Sequence, residues 1–558
     1  MKDINKNILK KIINKTAKSA GNDEMPDLSN MEMTFIDNSQ DSAVLLIDEI
    51  VKEQGDNNYR IACLWLLDKS ISNLRYNYER NETWAKRLYS KIDKVLTENY
   101  YSFSQDSIIG IMGVFYNARL DIPEGFNALC MENLSGTNTE TASELTQEEM
   151  EEKGNQMIES FFEGNENMHA FELIQILFSS LHGLPDEAIG PIIFLLTESP
   201  RQAAQEASIL FLLHPKKHVR EIAIHVLSEI YTKSPLPPES LTRLITIRQW
   251  SPSAEHEAID SLITIQRKLN AKFSPKKKAT DNVKFEASIF DGTGVQMIFF
   301  EIQSSNNPRV GGFLVKHAVG IRDAWLSPLN TPKSEINNVK EAIQSDINLP
   351  IFEVDAAYVS RIASHYIALN NANGETPEPD LLEIYECLGL NDWHSESTNF
   401  ETLLSSLMKE ISQEPPSKTW LKESFTRSEE WMEPYGPTGS WFETSNTIDA
   451  LINRHTSIHE GQKQISFEKA LDELSNTVFE DFRDKWSELF TWMSLVMKLT
   501  SEEDELFLWF DFATLAYAIN QGYPLADIPL MQHMMHDSLA ISMDSVQERG
   551  NQLHAIMA

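Results

Sequence analysis

The chain has 558 residues, more than one compact core usually holds, so its length predicts several domains or an elongated array. Apolar residues make up 41% of it, which excludes general disorder, and the formal net charge of −35 disfavours binding to a nucleic-acid backbone. Three scattered cysteines without a C-x-x-C pair argue against a disulfide scaffold and favour a reducing, cytoplasmic compartment.

Residues 1–40 form a basic N-terminal segment followed by a linker. Six lysines and one acidic residue lie within residues 1–20, and the isoleucines between them fit one face of a helix. One interpretation is a basic amphipathic helix that contacts a membrane surface or an acidic partner. The alternative, which we favour because chain termini are often merely solvated, is a helix that neutralises part of the acidic body.

Two helical regions follow, residues 41–134 and 157–270. In the second region, apolar residues from Val219 to Ile230 recur at spacings of three and four, and Pro215 precedes them. The run P-x-x-x-V-R-x-x-A-x-x-x-L-x-x-I from Pro215 to Ile230 resembles a helix of a HEAT-type repeat. This resemblance implies a stacked array of short helices, and the alternative is an ordinary helical bundle.

Residues 283–350 have the pattern of a small α+β segment. V-K-F-E-A-S-I-F and V-Q-M-I-F-F-E-I flank the turn Asp291-Gly-Thr-Gly, which predicts an antiparallel hairpin. A third strand is predicted over residues 313–319. The overall fold class is therefore mainly α, with a HEAT-like helical array, a small antiparallel β segment and a helical C-terminal domain over residues 351–558.

Candidate catalytic residues come from this β segment. The strand–Asp–Gly–Thr–strand order resembles the phosphate loop of actin-like and sugar-kinase ATPases, whereas a plain hairpin turn explains the same glycines. If a catalytic site lies between the β segment and the C-terminal helices, the first residues to test are Asp291, Thr293, His317, Arg322 and Asp323.

Residues 414–442 are predicted to be an aromatic and proline-rich loop within the C-terminal domain. Large aromatic side chains often anchor binding interfaces, so the candidate binding residues are Trp420, Trp431, Tyr435 and Trp441. The alternative is that these side chains pin a long loop onto the helical body.

Two histidine pairs have helical spacings that suit metal ligands. They are His455 with His459, and His533 with His536. Neither pair has an identifiable third ligand, so the sequence predicts no metal site and no cofactor.

The sequence favours a non-catalytic protein-interaction scaffold or adaptor over an enzyme. The acidic charge favours a protein partner with a basic segment and disfavours nucleic acid as a partner. Two alternatives are an enzyme with the site described above and a peripheral membrane protein anchored by residues 1–20. The sequence leaves the oligomeric state open.

Overall fold

The chain forms two compact units, Met1–Ser208 and Ile209–Ala558. The computed structural model describes residues 2–557 except 22–27, 29–31, 33–35, 37–41, 53–56, 80–82, 119, 131, 134–146, 163–165, 182–185, 270–281, 304–307, 329–330, 340–348, 391, 413–414, 433–437, 440, 444–445, 460–461 and 500–508. The predicted fold class is confirmed: helices dominate, and they accompany a small antiparallel sheet and a helical C-terminal region.

The first unit consists of helices. Their bounds are α1 (Lys2–Gly21), α2 (Ser42–Lys52), α3 (Asn57–Glu79), α4 (Thr83–Glu98), α5 (Gln105–Asn117), α6 (Gln147–Phe162), α7 (Ala170–Leu181) and α8 (Asp186–Glu198). Helix α9 (Gln202–Leu210) crosses the division between the units, which therefore falls inside the predicted array of residues 157–270.

Helix α1 is docked within the first unit. Leu9, Ile12 and Ile13 are at most 2% exposed and belong to the apolar core that α1 shares with α3. Lys10 forms an ion pair with Glu49 of α2 at 3.2 Å. Part of the apolar face that a membrane anchor would use therefore packs within the first unit, whereas Ile8 is 39% exposed, and membrane association stays a prediction.

The second unit begins with helices α10 (Lys217–Tyr231), α11 (Pro238–Trp250) and α12 (His256–Leu269). A buried ion pair joins α10 to the turn before α12, because Arg220 donates from Nε to Glu255 Oε1 at 2.9 Å. Arg220 also donates to the carbonyl oxygens of His214, Pro215 and Gly374, each at 2.9 Å. One guanidinium therefore fixes both the helical array and the chain that packs against it.

Helices α10 to α12, called the array from here on, pack against a second helical layer within the same unit. This layer consists of α13 (Ala356–Ala372) and α14 (Pro379–Leu388). Arg243 of α11 makes a two-pronged ion pair with Glu386 of α14, at 2.8 and 3.1 Å. The indole of Trp250 donates to the carbonyl of Trp393 at 2.8 Å. The cleft described below lies at the seam between the array and this layer.

A five-stranded antiparallel sheet lies between the array and α13 in the chain. Its strands are β1 (Val283–Ser288), β2 (Val295–Ile302), β3 (Arg309–Lys316), β4 (Gly320–Leu326) and β5 (Ile351–Val354), in the order β4-β3-β2-β1-β5. The predicted hairpin is confirmed, with Phe285 opposite Phe300 in the β1–β2 ladder.

Helices form most of the remaining chain. Their bounds are α15 (Phe400–Ile411), α16 (Lys418–Ser428), α17 (Asn446–His455), α18 (Phe467–Leu474), α19 (Arg483–Leu499), α20 (Trp509–Asn520) and α21 (Pro529–Met557), with a two-stranded ribbon of β6 (Thr456–His459) and β7 (Gln462–Ile465) after α17. None of the described helices combines the length and hydropathy needed to cross a bilayer.

The structure differs from the prediction within residues 414–442. Helix α16 occupies the middle of the expected loop because the Ser417 side chain accepts a hydrogen bond from Trp420 N and caps the helix start. A short 3₁₀ turn, Glu429–Met432, continues it. The adjacent prolines, which suggest irregular structure, in fact precede a capped helix.

Candidate functional site

The Asp291–Gly294 turn is held by its own hydrogen bonds. Asp291 Oδ1 accepts from the Thr293 hydroxyl and from Val295 N, both at 2.8 Å. Gly294 has a φ of +81°, and a Cβ there would lie 2.5 Å from the Cβ of His317. Both candidate side chains, Asp291 and Thr293, therefore serve the geometry of the turn; their catalytic role stays a prediction.

His317 lies beside this turn and contacts a residue that the sequence did not indicate. Its Nε2 is 3.0 Å from Glu488 Oε2 on α19, while its backbone N donates to Gly294 O. Arg322 and Asp323 lie further along the edge strand β4, where Arg322 pairs with Glu375 at 3.7 Å. The structure thus brings three of the five candidates to one end of the sheet.

A second histidine accompanies the His317–Glu488 pair. His365 on α13 is 5% exposed, and its Nδ1 accepts from Thr398 N at 3.1 Å. Burial lowers the pKa of His365 to about 4, against a partly opposing attraction from Glu488. His365 is therefore neutral at physiological pH, and its place in the core requires it to stay so.

The neutral state of His365 predicts an acid-labile second unit. The unfolded chain takes up this proton at about pH 6.5 and the folded chain only near pH 4, so stability falls as the pH decreases through this window. We expect a loss on the order of 3 kcal/mol from this group between pH 7 and pH 4. Denaturant unfolding at both pH values should show a smaller loss in His365→Asn, whose amide oxygen replaces the Nδ1 acceptor.

His533→Asn is the matched control, because His533 is exposed on α21. It should keep the pH dependence of the wild type. An unchanged pH dependence in His365→Asn would show that another group causes the acid lability.

The predicted binding tryptophans are largely interior. Trp431 and Trp441 are fully buried, and Trp431 stacks on Phe512 with ring centres 3.9 Å apart. Trp420 is half-buried and donates to the Thr514 hydroxyl at 3.1 Å. Tyr435 lies outside the described residues. This arrangement corresponds to the alternative in which aromatic side chains pin the segment onto the helical body; a role in binding stays a prediction.

The described members of the two histidine pairs contact carboxylates or lie at the surface. His455 Nε2 lies 2.6 Å from Glu473 Oε2, and the side chain of His459 is not described. His533 and His536 are both exposed on α21. Among the described residues, no group of three or more histidine, cysteine or carboxylate side chains has a geometry suited to a metal ion.

A polar cleft of about 550 Å³ opens at the seam between the array and α13. One wall comes from the end of α11 and the turn into α12, and the other from the end of α13 and the segment after Trp393. The lining residues are Arg248, Gln249, Ser251, Ser253, His256, Asn371, Ala372, His394 and Ser395.

Hydrogen bonds fix the side chains of the cleft. Arg248 binds both carboxylate oxygens of Asp260, at 2.9 and 2.8 Å, and these bonds lower the pKa of Asp260. His394 Nδ1 lies 3.1 Å from Gln249 Oε1 on the opposite wall. This contact joins the two walls, and Arg248, Gln249 and His394 are held in place by protein partners.

Asn371 is incompletely satisfied at this cleft. Its Nδ2 donates to Ser395 Oγ at 2.7 Å, whereas its buried Oδ1 has no hydrogen-bond partner among the described residues. Unpaired buried acceptors are uncommon in proteins and carry an energetic cost. A group that donates a hydrogen bond would satisfy this oxygen atom, whereas another acceptor would not.

Sequence analysis did not predict any of the lining residues. They come from three separate segments of the chain, residues 248–256, 371–372 and 394–395. No short sequence motif links these segments. His256 is the first residue of α12, whose apolar spacing indicates only helix packing. Local spacing therefore contained no signal for the cleft.

The chain is thus a mainly α protein with a polar cleft beside a helical array. A family model described as the Y4lR second domain matches residues 185–270, and one described as the Y4lR C-terminal helical domain matches residues 401–543. The two matches together cover less than half of the chain, and one wall of the cleft lies within the first of them. No curated protein and no solved structure matches the chain.

Proposed function

We propose that this chain is a non-catalytic, cytoplasmic interaction protein, a scaffold or adaptor, whose cleft at the array–α13 seam receives a segment of a partner. The cleft is the observation that carries the proposal. It is polar, it is open to solvent through the exposed side chains of Ser253, Ala372 and His394, and its walls belong to packed helices.

Rigid walls favour binding because little freedom is lost when a ligand enters. The Trp250–Trp393 hydrogen bond joins the two walls behind the cleft, and Arg220 ties α10 to the carbonyl of Gly374 just after α13. A partner segment would therefore meet a preformed site.

The charge of the chain supports a protein partner. A net charge of −35 attracts basic segments and repels nucleic acid over most of the surface. Cys63, Cys130 and Cys387 are not joined in disulfides, which supports a reducing compartment.

Filling the cleft should remove partner binding. Ala372, the last residue of α13, is exposed and lines the cleft, so Ala372→Trp places an indole in the cleft without disturbing a buried contact. We expect affinity purification from cells, quantified by mass spectrometry, to show loss of specific partners. Circular dichroism and thermal unfolding should match the wild type.

The control lies on the same helix. Ala356 is the first residue of α13 and is also exposed, roughly 24 Å from Ala372 at 1.5 Å per residue. Ala356→Trp adds the same indole outside the cleft and should retain every partner. Equal loss in both variants would point to a general effect of surface tryptophan and would contradict the proposal.

A further inference from the structure

The histidine on the array side of the cleft has a ring nitrogen that can accept a hydrogen bond. His256 Nε2 lies 2.8 Å from the carbonyl oxygen of Ser251. A carbonyl oxygen only accepts, so Nε2 carries the proton of the neutral ring, and Nδ1 carries the lone pair. Within the part of the chain that the structure describes, this Nδ1 has no hydrogen-bond donor. One acceptor of the array wall is therefore open.

The opposite wall adds two more acceptors without a donor. His394 Nδ1 lies 3.1 Å from the amide oxygen Oε1 of Gln249 and donates to it, so Nε2 is the accepting nitrogen of this ring. Asn371 Oδ1 also lacks a donor among the described residues. Together with His256, the cleft lining contains three acceptors that a ligand with N–H groups would satisfy.

The positive charge of Arg248 is already neutralised. Its Nε and Nη2 donate to the two carboxylate oxygens of Asp260, at 2.9 and 2.8 Å. A two-pronged pair of this kind has no net charge and fixes the plane of the guanidinium. Arg248 therefore does not make the cleft a site for negative charge.

The segments that form the cleft are acidic. No lysine or arginine occurs in residues 249–260, 370–376 or 392–398. Glu257 directly follows His256, while Asp392 and Glu396 lie on either side of His394 in the sequence. All three carboxylates are exposed, and none has an ion-pair partner among the described residues. These three residues, called the flanking carboxylates, attract positive charge toward the cleft.

We propose that the cleft receives a lysine side chain of the partner segment. This inference rests on the proposed function, since it names the group that the partner inserts. A lysine ammonium is a compact cation with three N–H donors and no acceptor, so it matches a lining with three acceptors that lack donors. The flanking carboxylates and the net charge of −35 supply the opposite charge.

The test uses the full chain and three capped tripeptides of the form glycine–X–glycine, where X is lysine, arginine or norleucine. Norleucine has the same four-carbon chain as lysine without the ammonium group. Each peptide is titrated into histidine-labelled protein at constant ionic strength and about pH 7.5, where an ordinary imidazole is neutral, and the rings of His256 and His394 are followed by NMR. We expect saturable shifts of both rings with the lysine peptide and none with the norleucine peptide.

Three results would overturn the inference. They are the absence of a saturable shift with the lysine peptide, equal binding of the norleucine peptide, and tighter binding of the arginine peptide.

A histidine variant tests the acceptors of the cleft. His394→Phe keeps a ring at an exposed position but removes an accepting nitrogen, so it should weaken binding of the lysine peptide by about tenfold, measured at the His256 ring. His225→Phe is the matched control, because His225 is exposed on α10 outside the lining, and it should bind as the wild type does. Wild-type affinity in a folded His394→Phe protein would contradict the inference.

A glutamate variant tests the flanking carboxylates. Glu257→Gln removes one charge from the first turn of α12 and should weaken binding by about two- to threefold at low salt. Glu239→Gln removes a charge from the first turn of α11, nine residues or roughly 14 Å along that helix from Arg248, and should have no effect. Equal weakening in both variants would mean that the peptide responds to the charge of the whole chain, which would contradict binding in the cleft.

Failure of the inference and failure of the proposed function give different results. If the lysine peptide does not bind but Ala372→Trp still loses partners, the lysine assignment is wrong and the cleft receives a segment through other groups. If the lysine peptide binds and Ala372→Trp keeps every partner, the lysine site exists but the partner-binding role of the cleft is wrong.

Discussion

Arg220→Ala is expected to destabilise the unit of residues 209–558 by about 3–5 kcal/mol, because it leaves a buried carboxylate without its counter-charge. Arg220 is 0% exposed and its partner Glu255 is 5% exposed. Glu255 Oε2 already lacks a hydrogen-bond partner among the described residues, so Oε1 would lose the bond from the Arg220 guanidinium. Three backbone carbonyls would lose their donor at the same time.

Denaturant unfolding followed by tryptophan fluorescence measures this loss. Only Trp65 and Trp84 of the 11 tryptophans lie in the other unit, so the signal reports mainly on residues 209–558. Arg267→Ala, at an exposed position of α12, should change the free energy of unfolding by less than about 0.5 kcal/mol.

A double substitution separates the lost charge from the lost packing. Arg220→Met combined with Glu255→Leu removes both charges, so it should be less destabilised than Arg220→Ala alone. If the free energy of unfolding of Arg220→Ala is within about 1 kcal/mol of the wild-type value, the ion pair does not hold the array to its neighbours.

Trp441→Ala is expected to cost about 3–5 kcal/mol, the usual range when a large aromatic side chain is removed from a core. The Trp441 ring is fully buried against Trp486, with ring centres 5.8 Å apart, and its Nε1 donates to Phe290 O at 2.8 Å. This one side chain joins the segment after α16, the β1–β2 turn and α19.

Two variants distinguish structural packing from partner recognition. Trp441→Phe keeps most of the apolar volume and should lose less stability than Trp441→Ala, since the hydrogen bond to Phe290 is worth about 1 kcal/mol. Trp420→Ala, at a half-buried ring, should also cost less than Trp441→Ala. If Trp441→Ala unfolds like the wild type but loses its partners, the residue belongs to a recognition surface.

Features that depend on neighbouring residues were predictable from the sequence. Alternation and the Asp-Gly turn predicted β2 at Val295–Ile302, as the structure has it, and the spacing of Val219, Ala223 and Leu227 predicted α10, where all three are buried. In both cases the residues that predict the helix or strand lie within that helix or strand.

Features that join distant segments were not predictable. Strand β5 pairs with β1, although β2, β3 and β4 lie between them in the sequence. Glu488 contacts His317, which is 171 residues earlier in the chain. The cleft requires that Gln249 and His394 face each other across 145 positions. Such contacts depend on how the whole unit packs, and the spacing of residues within one segment does not predict them.

The most direct test of the central claim, that the cleft binds a partner segment, compares partner recovery by Ala372→Trp and Ala356→Trp at equal expression. We predict at least a tenfold lower recovery of one or more proteins with Ala372→Trp, and wild-type recovery with Ala356→Trp. Recovery of every partner at the wild-type level with a folded Ala372→Trp protein would contradict the claim.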